Sequence, residues 1–435
     1  MERRIMPVRF ENANPWWINE PDPVFDDWSA RDLKWTPRLV STLADAHLQR
    51  KFGLHFLTGP RQVGKTTALH LFIHELLEKG IEPYSICFLQ CDEFSDFHEL
   101  GEAIDAYMET RKSRHIASSV LVFDEITFVK EWWRTVKARI DARQMTRDTI
   151  IVTGSTSLDL LAQKERFPGR RGEGIDAILF PLDFHQYAAL HVTGLVASRL
   201  TKDLDIDAMC NPNLLLSGKL NDLFQQYLIT GGFPRPIHDF HRSGKVSSAT
   251  YSDFLAWLKG DMQSAGKSMA FTKEIVQYLL EARNSAISWN SISKNTSIQS
   301  PTSVISYVEM LEHMFVIKIL YVLNQQKHVE PRRNKKVHFT DPFLFRVFSE
   351  QTGVDVLDEH VAESIVASHL ARKYPTYYWK NGSEIDAIAL VENSPLGFEV
   401  KYGKKSWKRV LHLPKQFILE KQVMPLFLAS VDWLP

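Results

Sequence analysis

The sequence predicts an α/β protein built on a parallel sheet, and three observations predict it. Short apolar runs recur at LHFLTG (54–59), YSICFLQCD (84–92), VLVFDEI (120–126) and TIIVTGS (149–155). Each is bounded by polar or turn residues, as strands buried on both faces are. Amphipathic stretches lie between them and supply the crossovers that parallel strands need. At roughly 100–200 residues per domain, the 435 residues predict two to four domains.

Residues 1–50 hold Trp16, Trp17, Trp28 and Trp35 and read as an extension that packs on a larger body, with DDWSARDLKW briefly helical. Residues 51–182 are the α/β core. Within it, TTALHLFIHELLEKG sets Leu69, Phe72, Ile73, Leu76 and Leu77 at helical spacing, and Gly80 stops the helix. Residues 183–265 read as mainly helical, with a break at GGFPRP (231–236).

Residues 266–348 read as three helices followed by a hairpin. Ile275, Leu279 and Ala282 share one face of the first, and SWNSISKNT is the short second. The third has Ser300 as N-cap, Pro301 at its first position and a stripe of Val304, Val308 and Leu311. VIKILYVL (316–323) and VHFT then flank a basic tip, QQKHVEPRRNKK. That order is a winged helix. On DNA, the 301–313 helix would enter a major groove while Arg332, Arg333, Lys335 and Lys336 touch phosphates. Residues 349–435 return to mixed helix and strand.

Composition narrows the function classes. Lysine plus arginine equals aspartate plus glutamate at 52 each, so any nucleic-acid site is a local patch. Cys87, Cys91 and Cys210 form no Cys-x-x-Cys pair, which argues against a zinc ribbon and points to a reducing, cytoplasmic setting. MERRIMPVRFENANPWW has no apolar run fit for a signal peptide, and no stretch approaches the ~18 apolar residues of a membrane span.

The strongest motif is GPRQVGKTT. Gly59, Gly64, Lys65 and Thr66 fit G-x-x-x-x-G-K-[ST], a phosphate-binding loop between a strand and a helix. Glycines let backbone N–H groups curl round phosphates, and the helix that follows points its positive end at the anion. Lys65 reaches the β- and γ-phosphates, and the Thr66 hydroxyl ligates magnesium. Arg61 and Thr67 complete the nucleotide-binding set. ATP and Mg2+ are the expected cofactors.

VLVFDEI runs an apolar strand straight into two acids. Asp124 at the strand end can hold the magnesium, and Glu125 can polarise the attacking water as general base. After the next strand, Thr153, Ser155 or Ser157 can donate to the γ-phosphate or the water, or else cap a turn. In ERFPGRRG, Arg170 or Arg171 can act as an arginine finger, in cis or across subunits of a homo-oligomer.

The last region brings carboxylates together. Asn381-Gly382 is a hairpin signal. After it, Glu384 and Asp386 share one strand face, opposite Ile385, Ala387 and Ala389. In LGFEVKYG, Glu399 and Lys401 share a face, so Asp386, Glu399 and Lys401 can converge across neighbouring strands. Glu363 heads the helical stripe Val366, Ala367 and Leu370 and so points inward. Lys404, Lys405, Lys408 and Arg409 follow and can hold a nucleic-acid backbone.

GPRQVGKTT, VFDEI, IIVTGSTS, the Gly-Arg of PGRR, FPLDF and GGFP occur in an order that resembles a prokaryotic, archaeal-type AAA+ family of ATP-binding proteins with a carboxy-terminal domain of unknown function. The resemblance covers nearly the whole chain. It implies a P-loop NTPase core (AAA+-like), a helical lid at 183–265, a winged helix at 266–348 and a restriction-endonuclease-like α/β domain at 349–435. Two departures stand out: PLDF (181–184) where the family usually has Pro-Leu-Ser-Phe, and Arg235 where glutamate usually follows Gly-Gly-x-Pro. The 349–435 region resembles PD-(D/E)xK nucleases. That resemblance implies magnesium on Asp386 and Glu399, support from Glu363, and Lys401 orienting the attacking water.

Three functions follow as alternatives: an ATP-regulated nuclease acting on DNA, an ATP-dependent DNA-binding switch with a silent nuclease-like tail, and a regulator whose winged helix binds protein.

Overall fold

The computed structural model describes residues 10–49, 51–154, 160, 165–381, 383–402 and 415–434. The chain divides into two compact units, Met1–Phe180 and Pro181–Pro435.

The first unit is a parallel sheet of five strands: β1 (Gly53–Thr58), β2 (Ile86–Gln90), β3 (Val120–Asp124), β4 (Thr149–Thr153) and β5 (Asp176–Ile178). Their order is β2-β3-β4-β1-β5. Four of them coincide with the four apolar runs, and β1, β3 and β4 are buried along their whole length. The consequence for the site is topological. β4 lies between β1, which leads into the phosphate loop, and β3, which ends in the acids.

Helices α1 (Phe10–Ala13), α2 (Pro23–Ser29) and α3 (Arg38–Leu48) form the amino-terminal extension. It packs on the sheet as its tryptophans predict. Trp16 and Trp17 are buried, and both indole N–H groups donate to the Ile86 carbonyl, at 3.1 and 2.8 Å. The Asn14 amide pairs with the backbone of Phe88 in both directions, at 2.7 and 3.0 Å, along the edge of β2. Asp22 caps α2 and accepts from His70 and His74 of α4 (Lys65–Glu78), at 2.7 and 3.1 Å.

His55 on β1 is 3% exposed, and the Ile175 N–H donates to its Nδ1 at 3.3 Å. Burial, reinforced by the Arg171 guanidinium, depresses the imidazole from 6.5 to about 4. Between those values the unfolded chain takes up a proton that the folded chain refuses. Stability is therefore full above pH 6.5 and falls as pH drops towards 4. We expect His55→Gln to remove up to about 3 kcal/mol of that acid loss, read as a flatter denaturation midpoint across the window.

The second unit holds a six-stranded mixed sheet of order β13-β12-β11-β10-β7-β8 and a two-stranded β6-β9 ribbon. The strands are β6 (Ile317–Leu320), β7 (Val322–Leu323), β8 (Val329–Glu330), β9 (Lys336–Phe339), β10 (Thr376–Asn381), β11 (Ser383–Val391), β12 (Ser394–Lys401) and β13 (Lys415–Glu420). Helices Met269–Ala282, Trp289–Lys294 and Pro301–His313 precede β6, and β6 pairs antiparallel with β9. Ser300 caps the third of them, accepting from the Thr302 N–H at 3.2 Å. Among the described residues, no helix is long and apolar enough to cross a membrane.

The 231–236 break has a packing role. Gly231 sits at φ +58°, and a Cβ there would lie 1.7 Å from Asp341 Oδ1. The Gly232 N–H donates to Asp341 Oδ2 at 2.9 Å, while the Leu182 N–H donates to the Gly232 carbonyl at 2.8 Å. The aspartate of PLDF is a helix cap: Asp183 and Gln186 form a reciprocal capping box on helix Phe184–Ala189. Arg235 pairs with Asp253 at 2.6 Å on the surface.

Candidate functional site

In the first unit, β1 ends at Thr58 and α4 begins at Lys65, so residues 59–64 form the loop. Gly59 has φ +148°, and a Cβ there would lie 2.3 Å from the Leu179 carbonyl oxygen. Gly64 has φ +95° and open space where its Cβ would be. Gly64 stands at the N-cap of α4 and has no side chain to cap it, and a helix start of this kind is suited to an anion. Lys65 is buried, and its ammonium donates to the Gly59 and Pro60 carbonyls at 3.1 and 3.3 Å.

The acids stand beside this loop. Asp124 is 3% exposed and accepts from two hydroxyls, Thr66 to Oδ2 at 2.7 Å and Thr153 to Oδ1 at 2.6 Å. Burial pushes the Asp124 carboxyl up, and both hydroxyls oppose that rise. Thr153 also accepts from the Glu125 N–H at 2.8 Å, and Glu125 takes a left-handed turn at φ +53°. Glu125 Oε1 lies 3.9 Å from Lys65 Nζ. Thr153 thus braces both acids at once, a role the sequence does not reveal because it depends on β4 lying beside β3.

The donor set suits a magnesium nucleotide. A hydroxyl and a carboxylate meet at 2.7 Å next to a glycine cradle and an uncapped helix end. Arg61 lies within the loop, its guanidinium 5.9 Å from the centre of the Phe128 ring, and Thr67 is the third residue of α4. Ser155 and Ser157 lie outside the described residues. Arg170 is engaged with Asp141, at the end of helix Trp132–Asp141, with Nε 2.5 Å from Oδ1. Arg171 pairs with Asp176 at 2.6 Å. The structure therefore brings together Lys65, Thr66, Asp124, Glu125 and Thr153, and places Arg170 in a separate ion pair.

In the second unit, the carboxylates gather as expected but the cation among them differs. Glu363 on helix Asp358–Lys373, and Glu384 and Asp386 on β11, each place one oxygen 2.9 Å from Lys336 Nζ. Lys336 is the first residue of β9 and is 2% exposed. The expectation that Lys335 and Lys336 lie on an exposed tip is corrected here. Lys335 is 6% exposed, with its ammonium 5.1 Å from the centre of the Trp289 ring. Of the four residues Arg332, Arg333, Lys335 and Lys336, the two arginines stay exposed, and Arg333 pairs with Glu330 at 3.1 Å.

Beside this centre, the Val400 N–H donates to Asp386 Oδ2 at 2.9 Å, and Lys401 Nζ pairs with Glu399 Oε1 at 2.5 Å. Glu399 Oε2 is buried without a partner. The Lys336 charge lowers the Asp386 carboxyl against its burial, whereas burial dominates at Glu363 and raises it to about 7. A nuclease magnesium needs Asp386, Glu399 and Glu363 oxygens turned to one ion. Here an ammonium holds two of those carboxylates and a second lysine holds the third, so the arrangement does not fit the metal. Among the described residues, no group of three or more His, Cys, Asp or Glu side chains is arranged to hold an ion. Gly382, Lys404, Lys405, Lys408 and Arg409 lie outside the described residues.

Comparison with known proteins bears on the two units separately. Residues 51–188, most of them in the first unit, match the family described as "AAA domain". Residues 221–355 match a domain of unknown function, DUF8612. No curated protein matches the sequence. Among solved structures, the Walker-type ATPase PABY2304 of Pyrococcus abyssi is 15% identical with a TM-score of 0.43, covering 72% of this chain and 95% of its own. A RuvB variant of Thermotoga maritima is 14% identical with a TM-score of 0.30, covering 69% and 90%. Cdc6p of Pyrobaculum aerophilum is 12% identical with a TM-score of 0.32, covering 76% and 99%. Scores this low carry no inference about function.

Proposed function

We propose that this chain is an ATP-hydrolysing switch whose second unit binds DNA. The observation that carries the ATPase half is the bridge Thr66–Asp124–Thr153, with the Glu125 N–H bound to the same Thr153 hydroxyl. Thr66 and Asp124 would hold the magnesium, which supplies charge stabilisation at the phosphates. The loop N–H groups and Lys65 bind and orient the phosphate chain. Glu125 takes the proton of the attacking water, with its backbone fixed by Thr153. Arg170 serves a second copy of the chain once its pair with Asp141 opens.

Within the second unit we place a lid at 183–265, a winged helix at 266–348 and a nuclease-like region at 349–435. The DNA reading is supported by three helices followed by a ribbon. Thr302 and Ser303 at the start of the third helix are exposed, as are Lys294 and Arg332. A second reading, cutting of DNA by the nuclease-like region, is supported by the gathering of Asp386, Glu399, Lys401 and Glu363. The misfit at Lys336 favours binding over cutting.

The test uses labelled duplex, branched and single-stranded DNA with the full chain, magnesium or manganese, and ATP or ADP. We expect affinity at low salt that falls steeply as salt rises, weakens in Arg332→Ala and differs between ATP and ADP, with every substrate left intact. Absence of binding at low salt would overturn the DNA reading in favour of a protein partner. Cleavage that disappears in Asp386→Ala would establish the second reading.

A further inference from the structure

The carboxylate cluster of the second unit contains a complete coordination shell for one cation, and the chain supplies that cation itself. An ammonium has three N–H bonds to donate. Lys336 meets three carboxylates, Glu363, Glu384 and Asp386, each at 2.9 Å. Its side chain is 3% exposed, so water contributes almost nothing to its solvation. A charge this deep persists only when paired, and here it has three carboxylate partners, two of them held by hydrogen bonds.

Two further facts describe how the rest of the cluster is held. Glu399 is 8% exposed, and its Oε2 has no partner although Oε1 is held by Lys401. Asp386 joins both halves of the cluster, with Oδ1 on Lys336 and Oδ2 on the Val400 N–H beside Glu399. A divalent ion needs oxygens at about 2.0–2.6 Å, and the oxygens it would need are those that hold the ammonium. Two cations cannot share them. The lysine also comes from elsewhere in the unit: β9 pairs with β6 in the small ribbon, whereas Asp386 and Glu399 lie on β11 and β12 of the large sheet.

We infer that Lys336 is the resident cation of this cluster and holds it shut against divalent metal. The cluster becomes a magnesium or manganese site only when that ammonium leaves. This inference stands apart from the ATPase and DNA readings, because its readout is metal binding alone.

Mn2+ binding to the nucleotide-free full chain, followed by electron paramagnetic resonance, tests it. The wild type should bind no Mn2+ that Asp386→Asn removes. Lys336→Met should gain a single site, lost again when Asp386→Asn is added, and Lys336→Arg should behave as wild type. An Asp386-dependent site in the wild type would overturn the inference, and so would a folded Lys336→Met chain that gains nothing. Should Lys336→Met fail to fold alone, it is refolded in Mn2+. Recovery that requires the ion supports the inference, and failure to recover overturns it.

Discussion

Glu125→Gln will bind ATP and fail to hydrolyse it. The substitution keeps the shape and the backbone hydrogen bond to Thr153, which comes from the N–H and not from the side chain. It removes the proton acceptor and the charge that faces Lys65 at 3.9 Å. General-base catalysis is worth roughly 10²–10⁴-fold, so steady-state turnover should drop by at least about a hundredfold while ATP affinity stays within a few-fold of wild type. Phosphate release and equilibrium binding of a labelled ATP, measured on one preparation, separate the two. Turnover at the wild-type rate would show that another group takes the proton. Thr153→Val is the useful companion. It leaves Glu125 in place but removes both the donor to Asp124 and the acceptor for the Glu125 N–H. Its loss should therefore appear in the magnesium dependence as well as in the rate.

Lys65→Ala removes affinity itself. The ammonium is buried and held by two loop carbonyls at the mouth of α4, where a phosphate chain would replace them as its partner. A charge-assisted contact contributes about 1.5–3 kcal/mol, which is roughly a ten- to hundredfold weakening of ATP binding. ADP, with one phosphate fewer, should lose less. Undiminished ATP affinity in this variant would remove the nucleotide from this loop altogether.

How much of this was legible depended on how local the cause was. The phosphate loop is a matter of spacing along the chain, and the structure has the strand, glycines and helix where G-x-x-x-x-G-K-[ST] requires them. Asp124 and Glu125 are equally local, an apolar run meeting two acids. Thr153 was visible as a candidate, but its partners were not, because they lie across the β3–β4 pairing. The Gly231–Gly232 break is explained by Asp341, more than a hundred positions further along the chain.

Lys336 is the instructive miss. In PRRNKKVHFT it looks like the end of a basic tip, since local composition says exposed. The signal was the alternation that follows. Lys336 and His338 share one face of β9, and both meet helix Asp358–Lys373, through Glu363 and Ser364. A lysine and a histidine on the buried face of a strand, opposite a helix whose inward stripe starts with a glutamate, is a pairing pattern. It cannot be read until strand and helix are known to touch.

The cover on β2 bears on the life of the chain before it is finished. β2 is the outermost strand on its side of the first sheet, with a row of backbone groups that would accept any passing strand. Asn14 satisfies both groups of Phe88, and Trp16 and Trp17 close on Ile86. During synthesis the amino terminus emerges first, so the guard for that edge leaves the ribosome about seventy residues before the edge itself. The sticky strand is born into the company of its own lid, and neighbouring nascent chains on a polysome meet a surface already spoken for.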